Sequence, residues 1–328
     1  MHHDKDQKQA RGNGAEGDTV VITGAFSYTG KYATRILLGR GYKIRTLTYH
    51  PERANPFGAR VQVFPYDFDN TERLTETLRG ACTLINTYWV RFPRGKSTFE
   101  SAIQNTRTLI AAAKNAAVKR IVHVSIANPS LDSPLGYYRG KALLEQTVIE
   151  SGLAYTILRP TVIFGLEDIL INNIAWFVRH FSVFAIPGDG RYRIRPIFIE
   201  DIARLIADAV EREGNSTLDA VGSETYTFEE LLKLIAKQLE RRIRSVHVPM
   251  PAAYMATRIA GWFVGDVVLT WEEYKGLMAG LLAPEGPSTG ATRLSQWLAA
   301  NRAQIGKRYA SELARHYTQT PNPCNGRM

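Results

Sequence analysis

The only Tyr-x-x-x-Lys in the chain runs from Tyr137 to Lys141, a spacing that puts both side chains on one face where a helix begins. An ammonium beside a phenol lowers the phenol's pKa, which suits Tyr137 to exchanging a proton with a hydroxyl or carbonyl oxygen. Twelve residues upstream, Ser125 ends the apolar run Arg120 to Ser125, where its hydroxyl is placed to polarise the same oxygen. Each feature has a plainer reading beside it. The pair also fits a solvated helix face, Ser125 also fits a strand-end hydroxyl satisfying loop backbone, and Tyr138, three residues before Lys141, competes for the role of the phenol. With 15 tyrosines a single match by chance is unremarkable, so the weight falls on the combination.

Thr19-Val-Val-Ile22 reads as a short buried strand, and TGAFSYTG, Thr23 to Gly30, leads from it into a helical pattern over Lys31 to Arg40 closed by Gly41. Strand, glycine turn and helix in that order let a pyrophosphate approach bare backbone N–H groups at a helix N-terminus. Gly24, Phe26, Ser27, Tyr28, Thr29 and Gly30 are therefore candidate cofactor-binding residues of a Rossmann-type turn. Ser27 stands where the pattern has its middle glycine; its hydroxyl is able to donate to a phosphate, and an ordinary turn that binds nothing has the same outline. The end of the second strand, Leu47-Thr48-Tyr49-His50-Pro51-Glu52-Arg53, offers no acid before Glu52 for a ribose 2′-hydroxyl. With Arg53 or Arg45 to meet a 2′-phosphate, NADP(H) is favoured over NAD(H). Thr48 and Arg53 thus join the candidates, with Asp67 and Phe68 after the third strand, where Asp67 suits either an adenine amine or a turn.

These residues need a frame that brings strand ends together. Tyr42 to Tyr49, Val61 to Phe64 and Thr83 to Thr87 read as the second to fourth strands, with helical segments between them. A long helix over Phe99 to Ala116, the strand Arg120 to Ser125, a helix from about Tyr137 to Ser151 and the strand Tyr155 to Leu158 continue the alternation. Repeated βαβ units predict an α/β fold with a doubly wound parallel sheet, whose ligand sits at the carboxyl ends of the strands. The organisation expected is an unstructured polar arm over 1–18, a dinucleotide-binding domain over 19–165, a smaller, mainly helical substrate or partner lobe with returning strands over 166–317, and a tail over 318–328. The apolar stretch Ile169 to Pro187 is broken by Arg179 and His180 and is too short to span a membrane. It and the segment Pro249 to Leu269 suit either lobe core or a surface that lies on lipid or on a partner helix.

A chain of 328 residues, 45% hydrophobic and 22% charged, has ordinary globular composition and room for a large core. Its two cysteines, Cys82 and Cys324, exclude a disulfide framework and a CxxC metal pair, and no metal site is expected. Without an apolar stretch in the first 18 residues the chain reads as cytoplasmic, with peripheral membrane contact as the variant. The net charge of +10 calls for an anionic partner, such as a phosphorylated ligand or an acidic membrane. Small basic clusters lie at Arg91, Arg94 and Lys96 and at Arg241, Arg242 and Arg244. Neither is a basic helix or a known module, so nucleic acid is not an expected partner and a transcriptional regulator is disfavoured.

Taken together, TGAFSYTG, the Asn86-Thr87 strand end, Asn105 in the long helix, HVSIAN around Ser125, YYRGK and LRPTVIFG resemble the short-chain dehydrogenase/reductase superfamily, in its extended or atypical branch. ILRPTVIFGLEDILINNIAWF followed by RPIFIEDIARLIADAV is most similar to the group that holds the nucleotide-binding accessory subunit of respiratory complex I and bacterial epimerase/dehydratase-like proteins. The resemblance covers roughly residues 19–230. It implies catalysis by Ser125, Tyr137 and Lys141, a proton relay supported by Asn105, Asn86 at the cofactor, and Pro160 and Thr161 beside the nicotinamide. It also implies two functions: an NAD(P)-dependent oxidoreductase or epimerase acting on a carbonyl, hydroxyl or nucleotide-sugar substrate, or a non-catalytic holder of NADP(H) within a larger assembly. Members of the superfamily often form homodimers through two long helices.

Overall fold

Strands covered by helices on both faces need near-continuous apolar runs. Val20, Val21 and Ile22 are such a run, and all three are fully buried. The computed structural model describes residues 18–316, so the expected arm and tail, and Cys324, lie outside the described residues. In chain order its elements are β1 (Thr19–Thr23), α1 (Tyr28–Gly39), β2 (Lys43–Thr48), β3 (Val61–Pro65), α2 (Thr71–Leu78), β4 (Ala81–Asn86), α3 (Phe99–Asn115), β5 (Arg120–Val124), α4 (Gly136–Glu150) and β6 (Ala154–Pro160). There follow β7 (Ile163–Phe164), α5 (Leu170–His180), β8 (Val183–Pro187), β9 (Arg193–Ile194), β10 (Ile197–Phe198), α6 (Ile199–Glu211), β11 (Ser216–Ala220), β12 (Tyr226–Thr227), α7 (Phe228–Gln238), β13 (Arg244–Val248), α8 (Met250–Val264), α9 (Trp271–Met278), α10 (Leu294–Asn301) and α11 (Glu312–His316).

Seven strands form one sheet in the order β11-β6-β5-β4-β1-β2-β3, every neighbouring pair parallel. The chain leaves β1 toward β2 and β3, then crosses back to β4 on its other side. That reversal puts the topological switch point at the carboxyl ends of β1 and β4, the place where such sheets take ligands. One face of the sheet packs Val20, Ile22, Val122 and Val124 against Ala33 and Leu37 of α1 and Ile202 and Ile206 of α6. The other packs Val21, Leu84, Ile121 and Ile157 against Leu74 and Leu78 of α2, Leu109 and Ala113 of α3 and Val148 of α4. The sheet is the parallel, doubly wound one that the sequence predicts.

The second half of the chain is drawn on twice. β11 and α6 complete the sheet and its helical cover, while α5, α7 and α10 gather around a separate core that includes Ile174, Leu231, Ile235 and Leu298. Asp168 ends the turn before α5, its Oδ1 accepting from Ile171 N at 2.7 Å and Asn172 N at 3.2 Å. The apolar stretch Ile169 to Pro187 is thus lobe core over α5, followed by the short strand β8, which pairs with β13. Among the described residues, no helix is long and apolar enough to cross a membrane.

Candidate functional site

The turn after β1 is built by contact between backbone segments. Gly24 has φ +72°, and a Cβ on Gly30 would stand 2.1 Å from Gly24 O, so α1 reaches the turn only because residue 30 has no side chain. Ser27 precedes the helix as its N-cap residue. Its Oγ folds back to donate to Gly24 O at 2.7 Å instead of pointing outward. Phe26 packs on Phe57, Thr29 lies in the first turn of α1, and the Tyr28 hydroxyl is buried with no hydrogen-bond partner among the described residues. A Cβ on Gly165 would lie 2.6 Å from that hydroxyl, so the turn is packed directly on the LRPTVIFG segment.

Three strand ends are locked together behind the turn. Thr23 Oγ1 accepts from Thr87 N at 2.7 Å and Tyr88 N at 3.0 Å and donates to Asn86 Oδ1 at 3.1 Å. This orients the Asn86 amide so that Nδ2 donates to His123 Nδ1 at 3.1 Å, which leaves the ring proton on Nε2. Burial, and the nearby Lys141, push His123 down to about 3, so the ring is neutral. Asn86 is 1% exposed with both ends of its amide engaged, so it fixes the strand ends to one another.

His123 on β5 and Ser125 just beyond its end point to the face covered by α4. Ser125 Oγ, His123 Nε2 and Trp89 Nε1 are all buried, with no hydrogen-bond partner among the described residues. Lys141 is 3% exposed; its Nζ donates to Val124 O at 2.9 Å and lies 4.9 Å from the Trp89 ring centroid. Burial brings this lysine down to about 7. Tyr137, one turn earlier, meets Trp89 and Phe99 edge to face at 5.6 and 6.0 Å. The expected lowering of its phenol is not what the structure gives. Burial pushes it up, with Tyr138 and Glu273 adding to the shift and Arg91 opposing it. Lys141 is directed at a carbonyl and a ring, and its own charge is weakened. Tyr138, the competing phenol, is raised to about 12 by burial and by Glu273 and packs under Gly276 of α9.

Trp89 carries no motif, and the sequence reading passed over it together with His123. The available signal is Gly140, where a Cβ would come within 2.7 Å of the Trp89 ring: α4 has a glycine between Tyr137 and Lys141 because an indole lies there. Asn105 is elsewhere. Its Nδ2 donates to Tyr88 Oη at 3.0 Å and Tyr49 Oη at 3.2 Å, in an aromatic cluster that also holds Tyr66 and Phe68, stacked at 4.9 Å. The structure therefore brings Tyr137 and Lys141 to Trp89 and puts Asn105 and Phe68 over the ends of β2, β3 and β4.

The remaining candidates divide similarly. Thr48 Oγ1 accepts from His50 N at 3.1 Å and shapes the turn after β2. Asp67 is held by Arg73 at 3.4 Å, as a turn residue would be. Thr161 Oγ1 donates to Arg195 O, and Pro160 O accepts from Ala127 N at 2.9 Å. Arg53 donates to Arg315 O at 3.2 Å, while the Arg315 guanidinium lies over the Tyr28 ring at 5.6 Å, so α11 crosses the turn. Arg45 is a correction. It donates to Thr77 O and Arg79 O at 3.0 and 2.8 Å, where α2 ends and the chain turns toward β4, and is engaged there. In the basic cluster at Arg91, the Arg91 Nε and Nη2 fork onto Glu273 at 2.5 and 3.1 Å and Nη1 reaches Glu312 at 3.2 Å. The guanidinium ties α9 and α11 to the loop after β4 instead of offering a free cation. Among the described residues, no group of three or more His, Cys, Asp and Glu is arranged to hold a metal.

A parallel sheet with its glycine turn at the topological switch point defines a nucleotide-binding domain of the Rossmann class. Residues 24–168 match the family model described as NAD(P)H-binding. The chain thus carries an NAD(P)-binding Rossmann domain. It is 25% identical over 248 residues to subunit 9 of the NADH dehydrogenase (ubiquinone) 1 alpha subcomplex, mitochondrial, of Arabidopsis thaliana, a match covering 72% of this chain and 62% of that relative. It is 23% identical over 248 residues to the photosystem II assembly factor Ycf39 of Cyanidium caldarium, covering 75% and 79%. In fold it is similar to the Citrobacter triphenylmethane reductase complexed with NADP(H), with TM-score 0.71, 17% identity, and 87% and 99% of the two chains covered.

Proposed function

We propose that the protein is an NADP(H)-dependent oxidoreductase or epimerase of short-chain dehydrogenase/reductase type, acting at an oxygen-bearing carbon of a carbonyl, hydroxyl or nucleotide-sugar substrate. The observation that carries the reading is the set of buried donors without partners among the described residues, His123 Nε2 and Ser125 Oγ at the end of β5 and Trp89 Nε1 after β4, with Lys141 bonded to Val124 O and, like Tyr137, packed on Trp89. Buried polar groups without partners are rare and await a ligand or water. The residues fit a dinucleotide: Gly24, Phe26, Ser27, Tyr28, Thr29 and Gly30 would hold its phosphates, Thr48 and Arg53 its 2′-phosphate, Asp67 and Phe68 its adenine end, and Pro160 and Thr161 its nicotinamide end. When bound, the nicotinamide supplies the hydride.

The protein's share is then positioning and proton transfer. Ser125 Oγ donates to the substrate oxygen, and Tyr137 gives that oxygen its proton when a carbonyl is reduced, or takes it when a hydroxyl is oxidised. Lys141, charged in the complex, brings the raised Tyr137 phenol back into a working range. The aromatic rings of Trp89 and Phe99 keep water from the exchanging proton. The lobe built on α5, α7 and α10 supplies the substrate side of the cleft.

A second reading, a non-catalytic NADP(H) protein of a membrane-associated assembly, draws on the similarity to the mitochondrial subunit and the assembly factor. It also draws on Trp89, whose ring lies where a substrate would meet Tyr137 and Lys141. Calorimetric titration with NADPH and NADH, followed by turnover against a panel of carbonyl acceptors, separates the two. NADPH consumption that disappears in Tyr137→Phe while NADPH still binds is the expected result. Turnover surviving in Tyr137→Phe removes the assignment of the phenol; NADPH binding with no turnover leaves the second reading, and no binding of either nucleotide removes both.

A further inference from the structure

Helix α8 faces solvent with the wrong side. Ala253 and Gly261 are buried, and Tyr254 packs inward on Trp271 and Tyr274. The outward stripe is Ala252, Met255, Ala256, Ile259, Trp262 and Phe263, spaced i, i+3, i+4, i+7, i+10 and i+11. Met255 is 60% exposed, Ile259 53%, Trp262 79% and Phe263 75%. The helix is held rigidly in this attitude. Gly265 closes it in the left-handed conformation, with its N–H on Gly261 O, and Asp266 fastens the following turn to α11 through Glu312 N and Leu313 N at 2.9 and 3.0 Å. The neighbouring pair β8 and β13 exposes Val183 and Val246 as well.

Charge says what covers this stripe. Between Glu240 and Asp266 the chain has no acid at all, while Arg241, Arg242, Arg244 and Arg258 are all exposed. A helix with aromatic and aliphatic side chains on one side, an arginine beside them and further exposed arginines in the turn and strand that lead into it lies in the plane of a lipid interface, apolar face down. Trp and Phe at its tip sit at headgroup level, and the arginines meet anionic headgroups. A protein partner would leave these exposed arginines needing acidic mates, whereas an anionic bilayer satisfies them in any orientation about its normal. We propose that α8 docks the protein onto anionic membrane surfaces, with Trp262 and Phe263 as the inserted pair. The inference stands apart from both readings of the dinucleotide cleft, because no residue of the cleft is in the stripe.

Flotation of the full chain tests it, with vesicles of phosphatidylcholine alone and of equimolar phosphatidylcholine and phosphatidylglycerol. The chain is expected to float with the anionic vesicles at low salt and to lose binding as salt rises. The double variant W262S/F263S should bind at least about tenfold more weakly, since it removes two apolar side chains that would be transferred from water. Its melting temperature and NADPH affinity should not change, because both side chains are already exposed. Arg258→Glu, which leaves the apolar stripe intact, should weaken anionic binding roughly fivefold or more. Absence of flotation with anionic vesicles, or flotation unaffected by W262S/F263S, overturns the proposal. So does a dimer that W262S/F263S converts to a monomer without altering flotation, which would make the stripe a contact between copies of the chain.

Discussion

Lys141 makes binding of the nucleotide depend on pH in a direction that can be worked out. The lysine is buried, its Nζ has Val124 O at 2.9 Å, and it titrates at about 7 in the folded chain against 10.5 when exposed. Between those values the unfolded chain binds more protons than the folded one, so this group's contribution to stability rises with pH, by up to about 1.4 kcal/mol per pH unit. Ligand binding works the other way. If ribose hydroxyls and phosphates near Nζ restore the charge, as the proposed function requires, the complex takes up a proton. At pH 8 a group titrating at about 7 is roughly one-tenth charged, so uptake approaches about 0.9 proton per nucleotide. At pH 6 the lysine is already charged and uptake by it vanishes. Calorimetric titration of NADPH in phosphate and in Tris, whose ionisation enthalpies differ, reads the number of protons directly. Lys141→Met keeps the buried volume apolar and supplies the baseline from every other titrating group. The reasoning is refuted by zero uptake or by release at pH 8 in the native chain, or by uptake that persists in Lys141→Met.

Two further perturbations address the frame. Gly30→Ala forces a methyl to within 2.1 Å of Gly24 O; the turn must open, at about 1–3 kcal/mol of stability, and NADPH affinity measured by fluorescence titration should fall by more than about a hundredfold. Arg91→Met leaves Glu273 and the nearly buried Glu312 without their guanidinium. Removing one partner of a buried pair costs about 3–5 kcal/mol; partial exposure of Arg91 brings the expectation to the low end, read as a shift in urea midpoint at constant slope.

What could be read from the sequence follows from where each interaction's partners lie. The strands were legible because burial on both faces turns them into apolar runs, as at Val20 to Ile22 and Ile121 to Val124. The turn was legible because a close backbone approach admits only glycine at residue 30. Arg45 and Arg91 were not, because their acceptors, Thr77 and Arg79 in one case and Glu273 and Glu312 in the other, come from other elements. The partners of Asn105 were hidden for the same reason: it is held by Tyr49 and Tyr88, each from a different strand end. For α8 the apolar composition was plain, but only packing decides which face of a helix is covered, and here the covered face is the small one.

The strand-end network bears on the chemistry beyond any single residue. Thr23 fixes Asn86, and Asn86 fixes the tautomer of His123, so the buried ring presents an N–H. Ser125 adds a hydroxyl, Trp89 an indole N–H, and Lys141 an amine. The nearest carboxylate on α4, Glu145, is clamped by Arg159 through Nε and Nη2 at 3.0 and 2.5 Å. Donors therefore outnumber acceptors in a place that water does not screen, and such an arrangement stabilises a ligand rich in oxygen acceptors or one on which negative charge develops. A reduced carbonyl oxygen in the enzymatic reading and the ribose and amide oxygens of a retained nucleotide in the other both meet that description. The network accordingly predicts tight binding under either reading, and only the proton on Tyr137 distinguishes them.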